Sequence, residues 1–154
     1  MANDSVSATT VINAPAEAIF AVLTDPAKHA AIDGTGWVCE TVDGTRLIAA
    51  GQIFRMSMYH PNGNYETANR VQVFDPSSAI AWETGYDPGD GTLRFGGWFW
   101  RYDLTPAGPS NTTVTLTYDW SACSDSVRKL IGFPPFPPAH LSDSLAHLAE
   151  LVTV

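Results

Sequence analysis

The sequence predicts an α+β fold in which a curved antiparallel sheet of about seven strands packs around one long C-terminal helix. Three patterns support this prediction. Short alternating segments separated by turn residues fill the middle of the chain, two helix-start signals follow the first strand, and a leucine stripe marks the C terminus. The 154 residues fit a single domain spanning residues 1–154.

The N-terminal elements follow from local signals. Residues 6–13 are rich in β-branched side chains and predict the first strand. Pro15 with an acidic residue just after it predicts a helix over residues 16–23. Asp25 before a proline caps a second short helix that runs to about Ile32.

The remaining strands are predicted from alternation and from the turns between them. Asn-Gly, Asp-Pro and Gly-rich turns at regular spacing are typical of an antiparallel meander. Gly96-Gly97 inside a strand predicts a bulge or bend. The predicted strands cover residues 37–41, 45–49, 52–59, 65–74, 79–86, 92–104 and 112–120.

The C-terminal region predicts a short helix or turn over residues 125–131 and then an amphipathic helix. Leu141, Leu145, Leu148 and Val152 recur at helical spacing and form one apolar stripe. The FPPFPP segment at residues 133–138 cannot be helical in its interior. This segment leads directly into the C-terminal helix, so we expect residues 134–138 to act as a gate to the cavity between the helix and the sheet.

Alternation places large aromatic side chains on one face of the sheet and polar ones on the other. Buried tryptophan and tyrosine usually seek a hydrogen-bond partner, which favours a cavity between sheet and helix, although aromatic rows are also typical of plain core. The candidate ligand-binding residues are Met56, Met58, Asn69, Trp82, Tyr86, Trp98, Trp100, Tyr102, Tyr118, Leu141, Leu145 and Leu148.

Composition excludes several classes of function. A net charge of −8 without a Lys/Arg cluster argues against nucleic acid and against anionic membranes as partners. No apolar run reaches the ~18 residues of a membrane span, so we expect no stable membrane insertion, and the N terminus has no secretory pattern, which favours the cytoplasm. Cys39 and Cys123 are interpreted as free thiols, with a disulfide left open.

No catalytic constellation is evident, so the catalytic residues are left unknown. The sequence has no nucleophile elbow, no phosphate loop and no metal-ligand spacing of histidines, and we expect no cofactor and no metal. His140 and His147 are interpreted as a half-exposed flank of the C-terminal helix. The inward polar groups are predicted to be tyrosines and Asn69, with no charged pair facing in.

Three segments resemble the START-like (SRPBCC) superfamily, in its polyketide cyclase/dehydrase-like branch. They are VINAPAEAIFAVLTDP at residues 11–26, NRVQVFDPSSAIAWET at 69–84 and GGWFWRYDLTPAGPSNTTVTLTYDWS at 96–121. The resemblance covers residues 6–152 and implies the helix-grip fold of the birch-pollen allergen, with a hydrophobic cavity between the sheet and the C-terminal helix.

Fold and cavity together suggest that the protein binds a hydrophobic small molecule, such as a lipid, a polyketide or an aromatic metabolite. One alternative is a polyketide cyclase/dehydrase-like enzyme that uses pocket tyrosines as acid and base. Another is a protein-interaction module similar to the chaperone activators of the superfamily. A homodimer is left open by the sequence, as is the identity of the ligand.

Overall fold

The computed structural model describes residues 4–33, 38–42, 46–59, 61, 63–130, 133, 136 and 139–152. Its elements in chain order are β1 (Ser5–Ile12), α1 (Ala16–Leu23), a 3₁₀ turn (Pro26–Lys28), α2 (His29–Ile32), β2 (Val38–Thr41), β3 (Ile53–Met58), β4 (Tyr65–Asp75), β5 (Ala79–Tyr86), β6 (Arg94–Gly108), β7 (Asn111–Asp119), α3 (Asp125–Leu130) and α4 (His140–Val152).

The described strands form one seven-stranded antiparallel sheet in the order β1-β7-β6-β5-β4-β3-β2. Strands β2 to β7 therefore follow one another as a meander, and β1 lies beside the last strand. Helix α4 packs against β1, β7, α1 and α2. This arrangement is the α+β helix-grip fold that the sequence predicted.

Local hydrogen bonds mark the end of α1 and the start of the 3₁₀ turn that leads into α2. Pro15 stands at the N-cap of α1, and the Thr24 hydroxyl donates to the Phe20 carbonyl at 3.0 Å where that helix ends. The Asp25 carboxylate then accepts from the Ala27 amide at 3.2 Å and begins the 3₁₀ turn. These caps position α2, which contacts both α4 and β2.

Helix α4 buries a wider face than its leucine stripe. Leu141, Leu145 and Leu148 are all buried in the core, as predicted. His140 and Ser144 are buried as well, because α2 covers the helix beside the stripe. The first turn of α4 thus presents polar side chains to the interior.

One predicted strand is absent and another is longer than predicted. Residues 46–49 of the predicted strand 45–49 are not in a strand, because the Leu47 amide donates to the Thr24 carbonyl at 2.8 Å instead of pairing within the sheet. Strand β6 continues past residue 104 to Gly108 and includes Pro106, with a register shift there. Within the described residues, no helix is long and apolar enough to cross a membrane.

The predicted bulge at Gly96-Gly97 is confirmed. The pairing of β5 with β6 shifts between Glu83 and Gly85, so that residues 96–98 lie opposite residue 84 alone. Gly97 adopts φ +101°, a conformation that side chains strongly disfavour. The bulge bends β6 at the edge of the aromatic face.

Candidate functional site

A cavity of about 120 Å³ lies between the sheet, α2 and the first turn of α4, and it is partly open to solvent. The walls are largely apolar and aromatic, with a smaller set of polar side chains. The apolar lining is Ile32, Val38, Phe54, Met56, Met58, Trp82, Trp100 and Leu116. The polar lining is His29, Asp33, Thr67, Asn69, Thr84, Tyr102, His140 and Ser144.

Half of the predicted ligand-binding residues meet at this cavity. They come from β3, β4, β5 and β6, whose inward side chains alternation assigned to one face. These lining residues are Met56, Met58, Asn69, Trp82, Trp100 and Tyr102.

The other predicted residues lie elsewhere. Tyr118 is buried behind the cavity wall, with its ring 4.5 Å from Trp100, and Trp98 packs on Phe133 at 6.0 Å. Tyr86 is 55% exposed because it is the last residue of β5, two positions beyond Thr84 in the cavity wall. None of the three lines the cavity, and neither do the core leucines Leu141, Leu145 and Leu148.

A buried histidine and a buried carboxylate, His140 and Asp33, face the cavity, whereas the sequence predicted only tyrosines and Asn69 as inward polar groups. His140 Nε2 lies 3.9 Å from Asp33 Oδ1, and the two side chains are 5% and 8% exposed. The second oxygen of Asp33 accepts from the Val38 amide at 3.1 Å, which fixes the carboxylate. A separation of 3.9 Å exceeds a direct hydrogen bond, so the two groups interact mainly through their charges and dipoles.

His140 is therefore not on a half-exposed flank, although His147 on the same side is half-buried. Its ring lies 4.7 Å from that of Phe136 and edge-on to Trp100 at 5.4 Å. The prediction for His140 was wrong because the spacing of the leucines identifies only one buried stripe of α4. It cannot show that α2 covers the neighbouring face of the helix. Burial lowers the pKa of His140, while Asp33 and Asp143 oppose that shift.

His29 is a second imidazole in the cavity wall, and sequence reasoning did not single it out. Its Nε2 lies 2.8 Å from the Leu23 carbonyl, and its ring stacks on Trp82 at 5.1 Å. Phe54 meets the ring edge-on at 5.5 Å. Burial lowers the pKa of His29, against the smaller raising effects of the Leu23 carbonyl and Asp25.

The side chain of Asn69, which was predicted to be a polar group of the cavity, forms hydrogen bonds mainly with other residues of the sheet. Its amide nitrogen donates to the Phe54 carbonyl at 3.3 Å and to the Thr67 hydroxyl at 3.2 Å. Its oxygen accepts from the Thr84 hydroxyl at 2.8 Å. Asn69 thus ties β3, β4 and β5 together, and both of its amide hydrogens already have partners.

The tyrosines are weak candidates for proton transfer. Burial raises the pKa of Tyr102, the tyrosine in the cavity wall, and the nearby Asp33 raises it further. Burial also raises the pKa of Tyr118, which lies behind that wall. The polar chemistry of the cavity therefore centres on the two histidines and Asp33.

Two further predictions concern metals and the proline segment. Among the described residues, no group of three or more His, Cys, Asp or Glu side chains could hold a metal ion. Cys123 is a buried free thiol.

The predicted gate, residues 134–138, lies outside the described residues apart from Phe136, which is buried.

Comparison with known proteins agrees with this architecture. An uncharacterized protein of Mycobacterium tuberculosis is 25% identical over 150 residues, which cover 94% of this chain and 62% of that protein. The chain thus spans less than two thirds of the length of this curated relative.

Solved structures share the fold at low sequence identity. A protein from Chromobacterium violaceum superimposes with a TM-score of 0.70 at 18% identity, covering 98% of both chains. The ZhuI aromatase/cyclase from a Streptomyces species gives a TM-score of 0.65 at 15% identity, covering 96% of this chain and 92% of that chain.

Residues 3–152 match the sequence profile of a family described as polyketide cyclase/dehydrase and lipid transport. The match covers nearly the whole chain, in agreement with its helix-grip sheet and its aromatic cavity. The chain belongs to the polyketide cyclase/dehydrase and lipid transport family.

Proposed function

We propose that the protein binds a small, mainly apolar molecule of about one aromatic ring in the cavity between the sheet and α4. The observation that carries the proposal is the free volume of about 120 Å³ enclosed by Phe54, Trp82 and Trp100. An apolar cavity of roughly 150 Å³ in another protein accepts benzene, whereas drug-sized ligands need about 300 Å³ or more. The cavity size therefore favours a single ring, or one end of a longer molecule, over a whole polycyclic polyketide.

The test is an NMR titration of the ¹⁵N-labelled protein with toluene. We expect shifts to concentrate on the cavity-lining residues. A Ser144→Leu variant places an apolar side chain in the cavity from α4, where Ser144 is buried. We expect it to weaken toluene binding about tenfold or more, because the inserted side chain takes up free volume.

The matched control is Ser142→Leu, which makes the same change on an exposed position of the same helix. It should leave toluene affinity unchanged. Thr67→Leu fills the cavity from the opposite wall and serves if Ser144→Leu does not fold. Shifts scattered over the surface, or equal affinities in all variants, would refute the proposal.

A second candidate function is acid–base catalysis on a bound carbonyl compound, and the His140–Asp33 pair favours it. His140 Nε2 would take a proton from the carbon next to the carbonyl, and the electrons of that C–H bond would move to the carbonyl oxygen to give an enolate, which takes the proton or a deuteron back at carbon. The Asp33 carboxylate 3.9 Å away would stabilise the imidazolium. The family description and the aromatase/cyclase among the structural neighbours support this candidate. The histidine takes the place of the tyrosines expected from the sequence.

Deuterium exchange into the methyl group of acetophenone, a single-ring ketone, tests this second function. In deuterated buffer the protein should accelerate exchange, and His140→Gln should abolish the acceleration while acetophenone still binds. Ser142→Leu serves again as the control that keeps full activity. Exchange that is equally fast with His140→Gln would exclude the pair as the catalyst and leave the binding function standing.

A protein-interaction role is supported less well. An interior filled by the aromatic side chains would favour it, whereas free volume remains beside Trp82 and Trp100.

A further inference from the structure

We propose that His29 is the hydrogen-bond acceptor that makes the cavity prefer a hydroxyl-bearing ring, a ligand of the phenol class. This inference rests on the proposed binding function and specifies the ligand of the same site.

The hydrogen bond to Leu23 fixes which nitrogen of His29 carries the proton. A carbonyl oxygen only accepts, so Nε2, at 2.8 Å from the Leu23 carbonyl, must donate. In a neutral imidazole the other nitrogen then holds a lone pair. The tautomer of His29 is therefore fixed, and its Nδ1 is a hydrogen-bond acceptor.

That acceptor belongs to a residue of the cavity wall. His29 lines the cavity wall, and within the described part of the chain nothing donates to its Nδ1. The fully enclosed nitrogen atoms without a partner in that part of the chain are instead Nδ1 of His140 and Nδ1 of His147. A ligand in the cavity meets the His29 ring, and no described residue competes with it for Nδ1.

The surrounding rings hold the imidazole in place. Trp82 stacks on one face of His29 with an interplanar angle of 18°, and Phe54 packs edge-on. Trp82 and Phe54 also line the cavity, so a ligand ring would lie against them with its substituent near His29. The acceptor is preorganised, which limits the entropy lost on binding.

Two other polar groups of the lining, Asp33 and Asn69, make the cavity less suited to an anion or to a carbonyl ligand. The Asp33 carboxylate also faces the cavity, so an anionic ligand would be repelled. The amide hydrogens of Asn69 are already committed to Phe54 and Thr67 and offer little to a ligand carbonyl. A neutral hydroxyl on an aromatic ring fits both the acceptors and the apolar walls.

The experiment compares phenol and toluene, which have the same number of non-hydrogen atoms, in parallel NMR titrations. The measured quantity is the ratio of the two affinities. In His29→Gln the side-chain amide can still donate to the Leu23 carbonyl, but the Nδ1 acceptor is gone. We expect the phenol-to-toluene ratio to fall about tenfold, the range expected for one lost hydrogen bond in a buried site.

His29→Asn is the matched variant, because its amide lies near the position of Nδ1 and should retain the preference within about threefold. A second readout is the ¹⁵N resonance of His29 Nδ1 in histidine-labelled protein. It should move when phenol binds and stay in place when toluene binds.

The outcomes separate the two proposals. An affinity ratio that is unchanged in His29→Gln, or that falls equally in His29→Asn, would overturn the role of His29 while toluene binding upholds the cavity. If neither compound binds the unmodified protein, the proposed function itself fails.

Discussion

At the scale of single residues, the interior holds two imidazoles whose environment keeps them uncharged. His29 and His140 are both buried, and burial lowers the pKa of each below the ordinary value of 6.5. The neutral forms suit the roles proposed for them, since an acceptor and a general base both need a lone pair. The same burial links the stability of the fold to pH.

We predict that the free energy of unfolding falls as the pH drops from about 8 to about 5. Below 6.5 the histidines of the unfolded chain take up protons while the buried ones do not, so protonation favours unfolding. Urea titrations at several pH values measure the slope, and His29→Gln and His140→Gln should each make it shallower. The same slope in the protein and in both variants would contradict the assignment.

At the scale of elements, the bulge in β6 brings the strand close to the chain that follows β7. A Cβ atom built on Gly97 would lie 2.7 Å from the Ala122 carbonyl oxygen, and φ there is +101°. At Gly96 a Cβ atom would collide with the Trp98 ring. Glycine is therefore required at both positions because neighbouring atoms leave no space for a Cβ atom, and not only because the strand bends there.

We predict that Gly97→Ala destabilises the protein by about 2–3 kcal/mol, because the backbone conformation and the clash with Ala122 add. Gly108→Ala on the same strand is the control. Its Cβ would meet only the Asn111 side chain at 4.0 Å, so we expect a change within about 0.5 kcal/mol. Thermal unfolding of both variants measures the difference, and equal losses would argue against a special role for the bulge.

At the scale of the whole molecule, the cavity exists because three layers meet at the start of α4. The sheet supplies Phe54, Trp82 and Trp100, α2 supplies His29, and the first turn of α4 supplies His140. The leucines further along α4 seal the core instead. The cavity is thus confined to one end of the helix.

Much of this architecture follows from sequence periodicity. Alternation found the strands and their inward faces, so that Trp82, Trp100 and Tyr102 were expected together. The proline and aspartate signals located α1 and α2, and the helical spacing of Leu141 and Leu145 located α4. These features are local, because each depends on residues a few positions apart.

Only the tertiary structure determined the polar chemistry of the cavity. His29 and Asp33 lie four residues apart at the two ends of α2, but His140 follows Asp33 by 107 residues and no spacing rule joins it to them. Their meeting depends on how α2 packs against α4, which is a long-range contact. Likewise, Tyr86 is exposed at the end of β5, beyond Thr84, which is the last residue of that strand to line the cavity, and alternation cannot show where the cavity ends. Sequence periodicity therefore determined which faces are buried, and long-range packing determined which polar groups share the buried space.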